Sequence, residues 1–379
     1  MKRLLFIICL FLVGCTKEEV IIEEESQLDK MTLDEKIAQM MIITYPGDVY
    51  DEKLESLIKD FKPGGFILMS DNITSYDNTL SLVKKMNNDS SIPLFISIDE
   101  EGGSVSRTAN LTDINVTSIP DMYSVGSLND LEISYEIGEI TAKKVRTLGV
   151  NVDFAPVLDI YSNPNNSVIG LRSFGSDKVQ VTKMALSFKD GLEDNLVMGC
   201  VKHFPGHGST DVDSHFDIPM IDKSYNELLN NEFYPFKKAI KDDIKMIMIG
   251  HIALPKITND LTPATLSKEI ITDILINKLN YHGLIITDGL NMGALVNNYS
   301  PKEIYVNAVK AGNDILLMPL DPIEALNDIK SAIENEEISI DQINNSVGKI
   351  LDFKSKYIKE NYLDKSFLSK DYEVLNNFK

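Results

Sequence analysis

Gly283-Leu284-Ile285-Ile286-Thr287-Asp288-Gly289 is an apolar run of strand length that ends on a carboxylate and a glycine. Its leucine and isoleucines do not alternate with polar residues, so the strand is expected to be covered on both faces. Runs of the same kind stand at 40–43, 65–69, 94–98, 150–154, 197–201, 246–249 and 315–318, making eight with 284–286. Between them lie amphipathic stretches at 130–148, 177–192, 225–241, 268–279 and 323–333, and a closing helix is expected over 338–360. Thr32-Leu33-Asp34-Glu35 has the form of a capping box that opens a helix ahead of the first strand. Strands alternating with helices imply a parallel sheet, and eight of them imply closure into an α/β barrel of the (β/α)8, TIM type.

A doubly wound open sheet is the alternative, and the order of chemistry decides against it. Thr44, Ser70, Asp99, Asp153, Lys202 with His203, His251 and Asp288 each follow or finish an apolar run. In a barrel all these positions meet at the C-terminal mouth, whereas an open sheet gathers only those beside its switch point. No glycine-rich dinucleotide fingerprint follows the first run. One catalytic domain is expected over 31–360, with a polar tail at 361–379.

The N-terminus has a separate meaning. Lys2 and Arg3 precede an apolar run from Leu4 to Val13, too short to span a bilayer, where roughly 20 residues are needed. Residues 1–14 are expected to be a cleavable signal. Leu12-Val13-Gly14-Cys15 resembles a bacterial lipobox, which implies a lipid-carrying Cys15 and an acidic tether over 15–30. The expected location is extracytoplasmic, anchored to a bacterial membrane. Of three cysteines only Cys200 then remains, so no disulfide framework is expected. The formal net charge of -20 argues against nucleic acid as a partner. A monomer is expected.

The densest chemical signal is Lys202-His203-Phe204-Pro205-Gly206-His207-Gly208, continuing through Asp213-Ser214-His215. Three of the chain's five histidines fall here, in a glycine- and proline-bearing stretch that reads as a long mobile loop. Asp213 and His215 are spaced so that the carboxylate can hold one imidazole nitrogen, which fixes the tautomer and raises the basicity of the other. A solvated polar loop is the plain alternative. A zinc site is the sharper one, yet the near spacing His203 to His207 is broken by Pro205 and Gly206, so no metal and no cofactor is expected. Asp288, at the tip of its strand, could stabilise or bond to an oxocarbenium-like carbon, or simply cap the next helix. Asp99-Glu100-Glu101-Gly102-Gly103 with Arg107 could bind sugar hydroxyls, or Arg107 could pair with Glu100 or Glu101. Arg172, in Gly170-Leu171-Arg172-Ser173-Phe174-Gly175, is a loop arginine that could equally form a surface salt bridge.

Together, in this order, these four segments resemble glycoside hydrolase family 3, and within it the β-N-acetylglucosaminidase branch. The matching runs are 202–208 with 213–215, Asp99 to Arg107, and 172–175, and the resemblance covers about residues 31–360. It implies a retaining hydrolase with Asp288 as nucleophile, His215 as acid/base and Asp213 orienting it. The family's sugar-binding positions carry over to Asp99, Arg107, Arg172, Lys202 and His203. The implied activity is removal of terminal β-linked N-acetylglucosamine from peptidoglycan fragments or related oligosaccharides. Ser209 and Gly289 depart from residues common in the family, next to the chemistry rather than in it. The β-glucosidase branch takes a glutamate from a second domain; none is seen here, which favours the histidine branch as an expectation. A histidine does not repel anionic muropeptides or phosphate, so phosphorolysis is compatible too. Two other functions remain open to the sequence, a metal-dependent barrel hydrolase and a non-catalytic sugar-binding lipoprotein. With no tryptophan in the chain, any ring-stacking platform falls to tyrosine or phenylalanine.

Overall fold

All eight apolar runs form strands, each pairing in parallel with its neighbours. They are β1 (Met41–Ile43), β2 (Gly65–Ile67), β3 (Phe95–Ile98), β4 (Val152–Asp153), β5 (Met198–Phe204), β6 (Met246–Ile249), β7 (Leu284–Thr287) and β8 (Leu316–Leu317). This computed structural model describes residues 26–211, 213–359 and 362–379. The expected signal at 1–14, Cys15 and most of the tether lie outside the described residues.

The sheet closes on itself. β1 pairs with β2 through Ile42 and Gly65 and with β8 through Met41 and Leu316. The last seam joins Ile286 to Ile315, with Thr287 N–H donating to the Ile315 carbonyl at 3.0 Å and Leu290 N–H to that of Leu317 at 2.9 Å. The first and last strands of the sheet are thus brought round to meet, and the doubly wound alternative falls. Every residue of the β1, β2 and β6 cores is buried, as expected for strands sandwiched between a filled interior and an outer helical layer.

That layer includes α1 (Leu33–Gln39), α2 (Tyr76–Asp89), α3 (Leu131–Arg146), α4 (Lys178–Asp194), α5 (Phe233–Lys241), α6 (Pro301–Ala311), α7 (Pro322–Glu334) and α8 (Ile340–Tyr357). The predicted capping box opens α1: Glu35 N–H donates to Thr32 Oγ1 at 3.2 Å and Thr32 N–H to Glu35 Oε2 at 2.9 Å. The single helix expected over 225–241 is broken into Tyr225–Asn230 and α5. Pro235 explains the break, because its ring would clash with the carbonyl of Asn231 in a continuous helix. The stretch expected as a helix at 268–279 is wound more widely, as a π-helix over Glu269–Lys278. Within the stretch expected as a polar tail, Ser366–Ser369 and Glu373–Phe378 form helical turns with Leu368 and Val374 buried, and Thr117 N–H donates to the Leu368 carbonyl at 2.7 Å. Gln27–Lys30, expected to be tether, is likewise a short helical turn, and its Leu28 packs against the core. Among the described residues no helix is long and apolar enough to cross a membrane.

Candidate active site

Because all eight strands run in parallel, their C-terminal ends open on one side, and there a cavity of about 350 Å³ is sunk into the mouth. Asp99, Arg107, Arg172, Lys202, His203, His215 and Asp288 all line it. Asp213 stands behind His215 and completes the set named from the sequence. Half of the apolar side chains in the wall bear sulfur: Met69, Met248, Met292 and Met318. Methionine is soft and adaptable, and in a chain without tryptophan it supplies much of the contact surface here.

Asp288 directly follows β7, and its Oδ1 accepts the Gly289 N–H at 2.8 Å. Burial pushes the carboxyl up, but the fields of the His203 and His251 imidazoles, the Gly289 N–H and Lys202 outweigh it and hold Asp288 below the ordinary carboxylate value. It is therefore an anion at neutral pH, set at the wall of the cavity.

Beside it lies a charged lattice contributed by three different parts of the barrel. Arg172 grips Glu101 with two hydrogen bonds, Nε to Oε2 at 2.7 Å and Nη2 to Oε1 at 2.8 Å, while Nη1 donates to the Val168 carbonyl at 3.0 Å. Lys202 Nζ reaches both Glu101 Oε1 at 2.6 Å and Asp99 Oδ1 at 2.8 Å. Arg107 Nη2 lies 3.5 Å from the other Asp99 oxygen. Glu101 is 2% exposed. Burial opposes its charge, yet Arg172 and Lys202 together hold its carboxyl far below the usual range; Asp99 and Glu101 in turn keep the Lys202 ammonium well above its own. Ions this deep are tolerable only when each is paired and hydrogen-bonded; Glu101, Arg172 and Lys202 are, whereas Arg107 is paired with Asp99 but its buried Nε has no hydrogen-bond partner. The loop-surface alternative for Arg172 is thereby replaced by a buried bidentate pair. Arg107 pairs with Asp99 rather than with either glutamate.

His203 and the start of the histidine stretch are fixed by Asp159, a residue that the sequence reading passed over. Its fully buried carboxylate takes the His203 Nδ1–H at 2.7 Å, the His203 backbone N–H at 3.2 Å and the His207 backbone N–H at 2.5 Å. The signal was present in the chain: Ala155-Pro156-Val157-Leu158 is a further apolar run ending on a carboxylate, concealed because it continues directly from β4. β5 extends to Phe204, so Lys202 and His203 belong to a strand, not to the mobile loop expected from the glycines. Gly208 lets the chain pass tightly over the Ile160 carbonyl, where a Cβ would come within 1.9 Å.

The remainder of the loop carries the dyad. His215 Nδ1 lies 2.7 Å from Asp213 Oδ1, which also accepts the His215 backbone N–H at 2.8 Å. The imidazole is 60% exposed, with its Nδ1 occupied by the carboxylate and Nε2 left for a partner. Burial opposes ionisation of Asp213, but its hydrogen bonds from His215 lower it below the usual carboxylate value.

Several strand-end residues are not part of the cavity wall. Glu100 points into the layer beneath, where Ser106 Oγ and Thr108 Oγ1 each donate to Oε1 at 2.6 Å and Thr108 N–H to Oε2 at 3.0 Å. Asp153 is buried against the Glu100 N–H at 2.9 Å, and burial pushes its carboxyl well up. His251 is buried behind Asp288, with Nε2 donating to the Gly289 carbonyl at 2.9 Å and Nδ1 2.7 Å from Thr265 Oγ1. Thr44 and Ser70 are exposed and lie outside the lining. Among the described residues, no group of three or more His, Cys, Asp or Glu is placed to hold a metal ion.

A closed parallel barrel with an ionised aspartate, an Asp–His pair and a charged lattice at its mouth has the layout of a sugar-processing barrel. Residues 32–353 match the glycosyl hydrolase family 3 N-terminal domain, and the chain belongs to that family. It is 33% identical over 333 residues to β-hexosaminidase A of Pseudoalteromonas piscicida, covering 80% of this chain and 55% of that one. The chain thus spans little more than half the length of that relative. It is 29% identical over 332 residues to β-hexosaminidase LpqI of Mycobacterium tuberculosis, covering 84% of this chain and 82% of that one. Among solved structures, a family 3 β-N-acetylglucosaminidase from Paenibacillus sp. superposes with a TM-score of 0.86 at 32% identity, over 92% of this chain and 67% of that one.

Proposed function

We propose that the protein is a retaining β-N-acetylhexosaminidase that removes terminal β-linked N-acetylglucosamine from peptidoglycan fragments or related oligosaccharides. The observation that carries the reading is the pairing, at one cavity, of an aspartate held ionised and a solvent-accessible imidazole with a carboxylate on its far nitrogen. In the first step an Asp288 oxygen attacks the anomeric carbon as the bond to the leaving oxygen breaks, and that oxygen takes a proton from His215. In the second, His215 takes a proton from water, the water oxygen bonds to the anomeric carbon, and the bond to Asp288 breaks. Asp213 holds the imidazole in the tautomer this requires.

Asp99, Arg107, Arg172, Lys202 and His203 would bind the sugar hydroxyls, Arg107 and Asp99 being the most open parts of the lattice. The methionine wall offers an apolar face for an acetamido methyl. Relatives named β-hexosaminidase support the choice of sugar, and an imidazole acid/base tolerates the anionic groups of cell-wall fragments. The lipobox-like Gly14-Cys15 supports a lipid anchor and an extracytoplasmic location. Purified protein should cleave aryl β-N-acetylglucosaminide far faster than aryl β-glucoside. Equal rates would remove the assignment of sugar while leaving the barrel hydrolase intact.

A further inference from the structure

Ser214 sits between the two residues of the dyad, yet its environment is the opposite of theirs. It is 2% exposed, while Asp213 and His215 on either side are 32% and 60% exposed at the side chain. Its hydroxyl lies 3.1 Å from Nε2 of His207, an imidazole that is itself buried. The other ring nitrogen of His207 is 2.8 Å from Thr210 Oγ1, and that hydroxyl is 3.0 Å from the His207 carbonyl, which can only accept. Giving the Thr210 proton to the carbonyl leaves Nδ1–H of His207 to donate to Thr210, and Nε2 free to accept from Ser214. The Ser214 carbonyl is bonded as well, taking the Ala294 N–H at 3.1 Å from the segment that follows Asp288. One residue therefore ties the loop to the strand-five side through its hydroxyl and to the nucleophile's side through its backbone.

The fit against that second side is close. A Cβ built on Gly293 would come within 2.3 Å of the His215 carbonyl oxygen, so the loop rests flush on a residue that must lack a side chain. A further bond, from Asn297 Nδ2 to the Phe216 carbonyl at 2.9 Å, continues the seam. Among the described residues, the dyad's other polar contacts stay within the loop, His215 to Asp213 and the N–H groups of Phe216 and Asp217 to the Asp213 carbonyl, and do nothing to hold the loop over the cavity.

The geometry points to Ser214, latched to the buried His207, as the positioning residue that docks the Asp213–His215 loop over the cavity. Ser214 is at the cavity wall, but its hydroxyl is taken by His207. It acts by setting the fraction of molecules in which His215 is in place, and this rests on His215 being the acid/base. Losing the hydroxyl removes one net hydrogen bond from the docked state, a population shift of about 3- to 10-fold.

Two measurements test this, and they fail separately. In Ser214→Ala, kcat on an unactivated β-N-acetylglucosaminyl disaccharide should fall about 3- to 10-fold, while the 2,4-dinitrophenyl glycoside, measured in its first step, should lose less than twofold. Ser214→Thr, which keeps the hydroxyl, should restore most of the loss. Gly293→Ala, which forces the loop off its seat without altering a polar group, should reproduce the leaving-group pattern more strongly. The second measurement needs no substrate: amide exchange at Ala294 should quicken in Ser214→Ala, with Met246–Ile249 unchanged. An equal loss on both leaving groups, or unchanged kcat with unchanged exchange at Ala294, overturns the latch. Faster exchange at Ala294 in Ser214→Ala, together with a wild type that cleaves no glycoside, would overturn the acid/base role built on it, and identify the failure as one of the proposed function rather than of loop docking.

Discussion

Replacing Asp159 by asparagine should damage the site without changing its shape. The carboxylate accepts from three donors, His203 N–H, His203 Nδ1–H and His207 N–H. An amide offers one oxygen, so an NH2 group must face either the imidazole or the His207 backbone. The cheapest relief moves the ring proton of His203 to Nε2, letting Nδ1 accept from the amide and putting an N–H on the cavity side. The charge-assisted bonds then become neutral ones. Charge-assisted bonds are worth about 1.5–3 kcal/mol and neutral ones about 0.5–1.5 kcal/mol, so the net loss is about 1–3 kcal/mol. Expressed in kcat/KM, that is a fall of about 5- to 150-fold. The assay is kcat/KM on an aryl β-N-acetylglucosaminide. A variant within twofold of wild type would refute the account of Asp159.

Asp288→Ala should abolish turnover whatever the leaving group. His215→Ala should lose about 10²–10⁴-fold on a disaccharide but much less on a dinitrophenyl glycoside, with azide rescuing the stalled enzyme as a β-glycosyl azide; equal losses without rescue would remove His215 from the role. Lys354 is buried with its ammonium bonded to Gln39 Oε1 at 2.8 Å, and burial brings it down from 10.5 to about 7. Between those values the unfolded chain binds the extra proton, so stability should rise with pH, by about 2–3 kcal/mol from pH 6 to pH 9. Urea denaturation of Lys354→Met should lack this increment, and identical pH slopes in the two proteins would count against it. Cys15→Ala should leave the precursor unlipidated and move it out of the detergent phase; identical fractionation of variant and wild type would end the lipoprotein reading.

The barrel was readable because its strands are the simplest objects in the sequence, short apolar runs bounded by polar residues, and each ends where chemistry begins. Asp288 and Lys202 were found by that rule. Asp159 obeys it too, but Pro156 and Val157 prolong the apolar run past β4, so Asp153 was taken as its end. Which of Glu100 and Glu101 faces the cavity could not be read from spacing. Adjacent residues on a strand point to opposite sides, and nothing local says which side is the mouth. The structure gives Glu101 to Arg172 and Lys202, and buries Glu100 against Thr108, Ser106 and Lys144. The break at Asn231 was legible in Pro235 but outweighed by an amphipathic pattern that runs through it. The latch at Ser214 was not legible at all, since it joins parts of the chain brought together by barrel closure.

The histidines around the mouth sort themselves by surroundings, and the sorting bears on which of them can pass a proton to a glycosidic oxygen. His207 and His251 are buried, and burial pushes both imidazoles down, so at neutral pH each is an uncharged ring with its two nitrogens already in use. They serve as fixed hydrogen-bonding groups, one beneath the Asp213–His215 loop and one beneath the Asp288–Gly289 segment. His203 has a carboxylate partner, but it is 6% exposed and its backbone is part of a strand, so it cannot follow a leaving group out of the cavity or meet solvent water. His215 joins a carboxylate on one nitrogen to open access on the other. A two-step displacement needs that combination, because the same group must deliver a proton inward and then take one from a water that enters from outside. A ring so exposed would wander if nothing held its backbone. The buried serine beside it supplies the restraint that a buried imidazole would otherwise have had to provide at the expense of solvent access.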